Sequence, residues 1–521
     1  MSTTLVVEPE REPDSPAVAQ LRTDTLASSV AVLLALTVVQ RLVGFLRGVL
    51  FCRWLDPGDL GQWDMILAFL ELAAPAAVLG VPGSFGRYVE YYRQRGQLRT
   101  FLRRTTGVSI ATAVVAITLI VTAAPWFSRL VFGVDNHVDL IYLIALCLGA
   151  VIVHNFVGEL FASLRMFRVA SLLQFAHGLL FATLAIGLLV GWRLDSASVV
   201  LAYGGAYALC SVGAIFGLRS VWRSIPPTEC PMSQQALWSK LVPFAVWIWL
   251  GNWLTNLFVI TDRYMIVHFS GLDAETSLQL VGQYHSSRIL PVLLVSIVGM
   301  LSTMIIPHLS HDWESGRRDL VARRMQLTMK LVGLSVLGAA SIIDLLAPTL
   351  FQYAFADKFS IGLSVLPGTL MYCTWFAMVT IIQIYLWCAE RARLGSLALT
   401  IGLVVNICLN LILLPRLELF GAVLATSIAN AITLIILYLL CRPHGLILDR
   451  GAWVISAAPL LLFLPAWATL LGVAVLLALI YTTDQLLDRD EKQQLLVVAD
   501  GYVQKISDFR ELFRNTTSRR R

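Results

Sequence analysis

The sequence predicts an all-α polytopic membrane protein: two parallel six-helix repeats, 12 helices in all, followed by two C-terminal helices. Three observations predict this. Of the 521 residues, 57% are hydrophobic and 14% charged, with a mean hydropathy of +0.75, against roughly 25% charged in a soluble domain. Successive apolar runs of about 20 residues follow, each long enough to cross a bilayer as a helix whose backbone groups are all satisfied. The third observation is an internal repeat. LGQWDMI (60–66) recurs as VGQYHSS (281–287), so Gly61 pairs with Gly282, 221 positions on. Pro82 maps to Pro307, Arg103–Arg104 to Arg323–Arg324, and Pro125 to Pro348. RVASL (168–172) maps to RLGSL (393–397), and VLA (200–202) to VLA (423–425). These six landmarks keep one order, at offsets between 220 and 225. A duplicated six-helix bundle is a transporter architecture, with substrate at the interface between the halves.

Along the chain, residues 1–27 carry Glu8, Glu10, Glu12 and Asp14 among Pro9, Pro13 and Pro16 and are expected to form a disordered cytoplasmic tail. They lack a basic start, and the apolar run after them is too long for a cleaved leader, so no secretory signal is expected. Helices near 28–52, 60–81, 103–125, 138–162, 168–190 and 197–218 make an N-lobe over 28–218. A cytoplasmic linker (219–240) leads to a C-lobe over 241–441, with helices near 241–269, 280–307, 325–349, 361–388, 394–414 and 419–441. The apolar stretch 452–485, interrupted by Pro459, Pro465 and Gly472, predicts helices 13 and 14 within 442–488. A cytoplasmic tail, 489–521, ends the chain. Pro75 and Gly80 in helix 2, and Pro291 and Gly299 in the equivalent helix 8, weaken hydrogen bonding where a rocking bundle would bend, or where a static kink would sit.

Lysine and arginine set the topology. Segments on the N-terminal side of the membrane hold 30 of them, and the opposite loops hold only Arg53, Arg129, Arg193, Lys358 and Arg416. The bias predicts a multi-pass protein of the cytoplasmic (inner) membrane with both termini in the cytoplasm. With six helices per half, the repeats then share orientation, about an axis along the membrane normal. Trp54, Trp126 and Trp192 fall at outer helix ends, and Trp222, Trp238, Trp313 and Trp453 at inner ones, as an aromatic belt requires.

The net charge of +6 comes from arginines in loops flanking helices and implies no nucleic-acid partner. Seven of the eight cysteines lie in predicted helices, Cys230 in a loop, with no CxxC or Cys/His spacing, so they are expected to pack as small apolar residues, without disulfides or a metal. No cofactor is expected.

Four arginines remain at membrane depth: Arg41 and Arg47 in helix 1, Arg263 in helix 7 and Arg288 in helix 8. Such a charge costs several kcal/mol unless it faces a cavity or a counter-ion. Helical geometry puts Thr37, Gln40, Gly44 and Arg47 within about 80° of one another, and Asn252, Asn256 and Arg263 within about 40°. On helix 8, Tyr284, Arg288, Gly299 and Ser302 align. Helices 1 and 7 are equivalent in the repeat, and such polar stripes would line a hydrated cavity between the halves. Arg41, Arg47, Arg263 and Arg288, with Gln40, Asn252, Asn256 and Tyr284, are the candidate substrate contacts. A structural alternative is that the arginines snorkel to headgroups or pair with Asp64, Asp262 and Glu71, with Asp262 claiming adjacent Arg263. Asp64, Glu71 and Asp262 are the candidates for carrying a coupling ion, H⁺ or Na⁺. Glu159 and Asp344 are also acidic at depth. His285 lies nearest the expected cavity, where packing at a helix end is its simplest role.

QRLVGFLRG (40–48), LDPGDLGQW (55–63), ITDRYMI (260–266), VGQYHSSRILP (281–291), IIPHLS (305–310) and NICLNLILLPRLELFGAVLAT (406–426) together resemble the polysaccharide-transporter and lipid II flippase branches of the multidrug/oligosaccharidyl-lipid/polysaccharide exporter (MOP) superfamily. The resemblance covers about 30–485. It implies a MOP/MATE-like fold and the flipping of an undecaprenyl-pyrophosphate-linked oligosaccharide to the outer leaflet by alternating access. The substrate partner would be a lipid-linked anionic oligosaccharide drawn from membrane lipid, with a glycan polymerase as a candidate protein partner. Lipid II flippases carry two arginines six residues apart on helix 1, matched by Arg41 and Arg47, and one on helix 8, matched by Arg288. Guanidinium is a permanent, bidentate phosphate ligand. Two departures favour an exopolysaccharide, capsule or O-antigen unit over lipid II: Gly48 follows Arg47 where that family has an acid, and helix 2 offers Asp64 and Glu71 rather than an arginine.

Rival readings fit less well. A polymerase or ligase of lipid-linked glycans would present a large extracytoplasmic domain, whereas the outer loops here are short and hold no paired acid/base residues. None of the five lysines follows a glycine, so no phosphate-binding loop drives a primary pump. A small-molecule or multidrug antiporter is the remaining alternative, but several arginines suit an anionic lipid head better than cationic drugs. GSFGRYVEYYRQRGQLR, after helix 2, also lacks the Gly-x-x-x-Asp-(Arg)-x-Gly-Arg pattern of major-facilitator proteins.

Overall fold

The computed structural model describes residues 26–227 and 232–494, with side chains from Leu36 onward except that of Ile248. The expected N-terminal tail apart from its last two residues, Cys230, and positions 495–521 of the C-terminal tail lie outside the described residues. The N-terminal half runs α1 (Leu26–Trp54), α2 (Pro57–Ala77), α3 (Phe85–Gln94), α4 (Leu98–Thr122), α5 (Ala124–Phe132), α6 (Val138–Ser163), α7 (Phe167–Gly191) and α8 (Ser196–Ser224). The C-terminal half follows with α9 (Gln234–Phe269), α10 (Ala274–Glu314), α11 (Arg318–Tyr353), α12 (Ser360–Cys388) and α13 (Ala392–Cys441), then α14 (Arg450–Ala457) and α15 (Ala466–Thr482). Among the described residues there is no strand. Nine helices there are long and apolar enough to cross a membrane, and a tenth candidate is the pair Pro57–Ala77 and Pro82–Gln94, bent by 65°. This is an all-α, multi-pass membrane fold.

Two helices differ instructively from the sequence expectation. The second ends at Ala77 rather than near 81, because Leu79 and Gly80 take positive φ (48° and 69°) and turn the chain into α3. Gly80 is pressed against the backbone of Ala245 and against Trp249 on α9, so neither its φ nor its surroundings admit a side chain readily. The charged stretch that looks like a loop is the amphipathic α3, which buries Phe85, Tyr88, Val89 and Tyr92 along one face. The other difference is α13. A straight helix of its 50 residues would measure ~75 Å, more than twice the bilayer core. It reverses instead at Glu418 (φ 48°, ψ −132°), just after Pro415. Asn406 and Thr426 face each other across the reversal at 3.1 Å, so 392–417 and 419–441 are antiparallel arms, matching the two helices expected there.

The halves meet mainly where α2 runs along α10 and α9. At the end of the molecule carrying the α1–α2 turn they pack backbone to backbone. A Cβ on Gly61 would collide with the Leu278 carbonyl, and one on Gly282 with the Pro57 carbonyl. The two glycines of the repeat thus form a symmetric crossing. Around it, Lys358 pairs with Asp56 (3.0 Å), Arg53 donates to the Tyr353 carbonyl (2.9 Å) and Gln283 donates to the Lys358 carbonyl (3.0 Å). At the opposite end, by the α2–α3 bend, α9 packs against Gly80 and Tyr88 donates to the Lys240 carbonyl (3.1 Å), and between these contacts and the glycine crossing the halves enclose a cavity.

Beyond α13 the chain forms two short apolar segments, Arg450–Phe463 and Ala466–Thr482, separated at Pro465, with α15 packed on α11. Lys330 of α11, 1% exposed, fastens this region by donating to Asp449 (2.5 Å) and Glu491 (2.8 Å). Its ammonium is bonded to two of the three carboxylates, Asp449 and Glu491, that cluster here with Asp488.

Candidate functional site

The interface between the halves holds two joined spaces. One of about 590 Å³ lies beside the glycine crossing and is lined by Arg41, Arg47, Asp64, Arg263, Tyr284 and Arg288, among others. The second, about 980 Å³, extends to the α2–α3 bend and is lined by Ser171, Asn252, Thr255 and Asn256 as well as Pro82 and Trp249. Gln40, Glu71, His154, Asn155, Gln174, Tyr203 and Tyr207 line both. Each volume lies in the range of a ligand pocket.

At the deep end Asp64 of α2 is fully buried and gathers two arginines and a histidine. Arg263 Nε lies 3.0 Å from its Oδ2, His285 Nδ1 2.8 Å from its Oδ1, and Arg288 Nη1 3.8 Å from Oδ2. The Arg263 contact is an ion pair without hydrogen-bond alignment, and Arg263 Nη1 is buried with no hydrogen-bond partner among the described residues. Arg288 also lies over the Tyr284 ring, 5.1 Å from its centroid. Arg47 has no carboxylate partner among the described residues. Its guanidinium rests 4.1 Å from the Phe181 ring centroid and 5.9 Å from that of Phe51. Arg41 is exposed and lines the same space. Four arginines and three carboxylates, Asp64, Glu71 and Asp262, line this space, and among the described residues only Asp64 is paired with arginine, so positive charge stays in excess.

Asp262 does not claim Arg263. Consecutive helical residues point about 100° apart, and the two acids of this region serve different groups. Asp262, 2% exposed, accepts from Thr426 Oγ1 (2.7 Å), Tyr284 Oη (3.0 Å), Asn406 Nδ2 (3.0 Å) and Asn410 Nδ2 (3.2 Å). The Tyr372 hydroxyl adjoins that of Tyr284 at 3.0 Å. This carboxylate lies in a nest of neutral donors and oxygens, with no cationic side chain paired to it among the described residues. Glu71 is exposed to both spaces, and its carbonyl accepts from Asn256 Nδ2 at 3.1 Å, bridging α2 to α9.

Every candidate contact named from the sequence therefore lines one or both spaces: Arg41, Arg47, Arg263, Arg288 and Tyr284 the deep one, Asn252 and Asn256 the wide one, Gln40 both. His285, expected to pack at a helix end, is an Asp64 partner instead. Sequence reading missed Tyr372, Asn406, Asn410 and Thr426, and on the N-terminal half His154, His177, Tyr203 and Tyr207. The signal was present: polar side chains inside otherwise apolar spans, with Asn406 and Asn410 one helical turn apart. The described cysteines are all free.

The family model described as polysaccharide biosynthesis protein matches residues 26–313, and the lipid II flippase MurJ model matches 275–489. The lipid II flippase MurJ of Bacillus subtilis is 21% identical over 408 residues, 71% of this chain and 74% of that protein. A lipid II flippase MurJ structure in an inward closed conformation superimposes with a TM-score of 0.66 at 12% identity, over 87% of this chain and 99% of that one. An inward-facing multidrug resistance MATE family transporter gives 0.66 at 13%, over 80% and 96%. The chain belongs to the polysaccharide biosynthesis protein family, within the MOP superfamily of membrane transporters, and is related to the lipid II flippases.

Proposed function

We propose that this protein flips an undecaprenyl-pyrophosphate-linked oligosaccharide across the cytoplasmic membrane by alternating access, the glycan being an exopolysaccharide, capsule or O-antigen repeat unit. The observation that carries the reading is the arginine excess in the deep cavity: Arg47 without a carboxylate, and Arg263 with a buried nitrogen lacking a hydrogen-bond partner. A doubly charged diphosphate supplies the missing negative charge and accepts from forked guanidinium donors. The 30-to-5 bias of basic residues supports placing both termini, and the wide end of the cavity, on the cytoplasmic side. Asp262 is the candidate for the coupling-ion site, because its oxygen-rich nest has no fixed cation and suits Na⁺ or H⁺.

The test is export of the glycan in the native host. Arg47→Ala and Arg288→Ala are expected to abolish it at unchanged protein level, and lysine at either position to restore only part. Full export by both alanine variants overturns the reading. Peptidoglycan lipid II is the second candidate substrate, favoured by the family match over 275–489. Rescue of a strain lacking its lipid II flippase would select it, and failure there alongside intact glycan export would reject it.

A further inference from the structure

We infer that His154, His177, Tyr203 and Tyr207 form a carbohydrate-binding wall that holds the sugar attached directly to the lipid diphosphate. This deepens the flippase reading and rests on it.

The cluster is built from α6, α7 and α8. His177 stacks on Tyr207 with centroids 3.8 Å apart, and His154 meets the same tyrosine edge-on at 4.8 Å. Tyr203 and Tyr207 sit edge to face at 4.8 Å. Such a set of rings in a membrane protein is ordinarily packing, and packed polar rings find hydrogen-bond partners. These do not. Among the described residues, His154 Nδ1 and His177 Nε2 are buried without a partner, and the two tyrosine hydroxyls meet only each other, at 3.3 Å. Four polar groups thus share a single hydrogen bond while lining a space large enough for a ligand.

Position selects the ligand. Phe181 carries the Arg47 guanidinium at 4.1 Å and is itself stacked with His177 at 6.3 Å, so the rings continue directly from an arginine of the charged end. His154, Tyr203 and Tyr207 line both the deep space and the wide one, placing them at the junction. A group bonded to a diphosphate held by the arginines would lie against them. Chemistry agrees: sugar C–H faces pack on aromatic rings, and hydroxyls that donate and accept satisfy imidazole and phenol alike. Beyond the junction the wide space offers Asn155, Gln174 and Asn252 to further sugars.

The experiment titrates the purified full-length protein in nanodiscs with geranylgeranyl diphosphate, and with the same lipid diphosphate bearing one glucose, galactose or N-acetylglucosamine. The wild type is expected to bind at least one glycosylated probe about tenfold more tightly than the bare diphosphate. Tyr207→Leu and His154→Gln are expected to erase that gain and keep the affinity for the bare lipid, with an unchanged melting temperature reporting intact folding. No gain from any of the three sugars, or a gain retained in both variants, overturns the inference and leaves the flippase reading standing. Loss of the bare lipid together with the sugar also overturns it, by showing that the rings merely support Arg47. Binding of none of the probes by the wild type overturns both.

Discussion

Asp64 is one carboxylate serving Arg263, His285 and Arg288. Removing its charge should therefore cost far more than a surface pair would. Asp64→Asn leaves two largely buried arginine charges without their counter-ion, and a loss of about 3–5 kcal/mol is expected, read as a lowered unfolding transition in detergent. An unchanged transition would mean that water in the cavity already solvates the arginines. Asp262 tests a different property. Its partners are all neutral, so Asp262→Asn is expected to destabilise less and to abolish any stabilisation of the wild type by Na⁺. A sodium-dependent rise in melting temperature that survives the substitution would place the ion elsewhere. At this scale the sequence showed which residues were unusual and not whom they meet. The spacing of Arg47, Arg263 and Arg288 on their helices was legible because a charge in an apolar run stands out. That Asp64 rather than adjacent Asp262 faces Arg263 depends on how α2 lies against α9 and α10, which no local pattern encodes.

Among the elements, the crossing of α2 and α10 governs one end of the molecule. The repeated Leu/Val-Gly-Gln motif appears in the sequence as evidence of duplication; in three dimensions it lets two backbones touch. Gly61→Ala or Gly282→Ala places a methyl group against a carbonyl, and overpacking of this kind costs about 1–3 kcal/mol. That cost falls only on the state in which the helices touch. Each variant is therefore expected to shift the population toward separation of this end by about tenfold per 1.4 kcal/mol. Spin labels at positions 56 and 358 would report it as a longer distance; an unchanged distance distribution would show that the crossing does not hold the closed state. Hydropathy located the long helices well, including the antiparallel arms of α13, because Pro415 and Glu418 interrupt an otherwise continuous apolar run. It missed α3, whose single buried face is diluted by Arg87, Glu90 and Arg93, whereas the two short C-terminal segments were legible, since 452–485 is short for two spans and is broken by Pro459 and Pro465.

For the whole molecule, the two ends differ in the way alternating access requires: packed glycines and ion pairs at one, a cavity of about 980 Å³ at the other. Under the proposed flippase cycle, in which substrate enters by the wide cavity and leaves at the other end, the Lys358–Asp56 pair and the glycine contact must break in every cycle. An isolated exposed ion pair contributes little, about 0–1 kcal/mol, so Lys358→Ala alone should barely affect transport, whereas a covalent link at the same place should stop it. With the native cysteines replaced, Asp56→Cys combined with Lys358→Cys and joined by a short bifunctional thiol reagent is expected to trap the closed end and abolish glycan export, with export returning when a cleavable linker is reduced. Each single-cysteine variant treated in the same way controls for the reagent. If export persists with the crosslink complete, that end need not open, and substrate must leave the cavity sideways between helices.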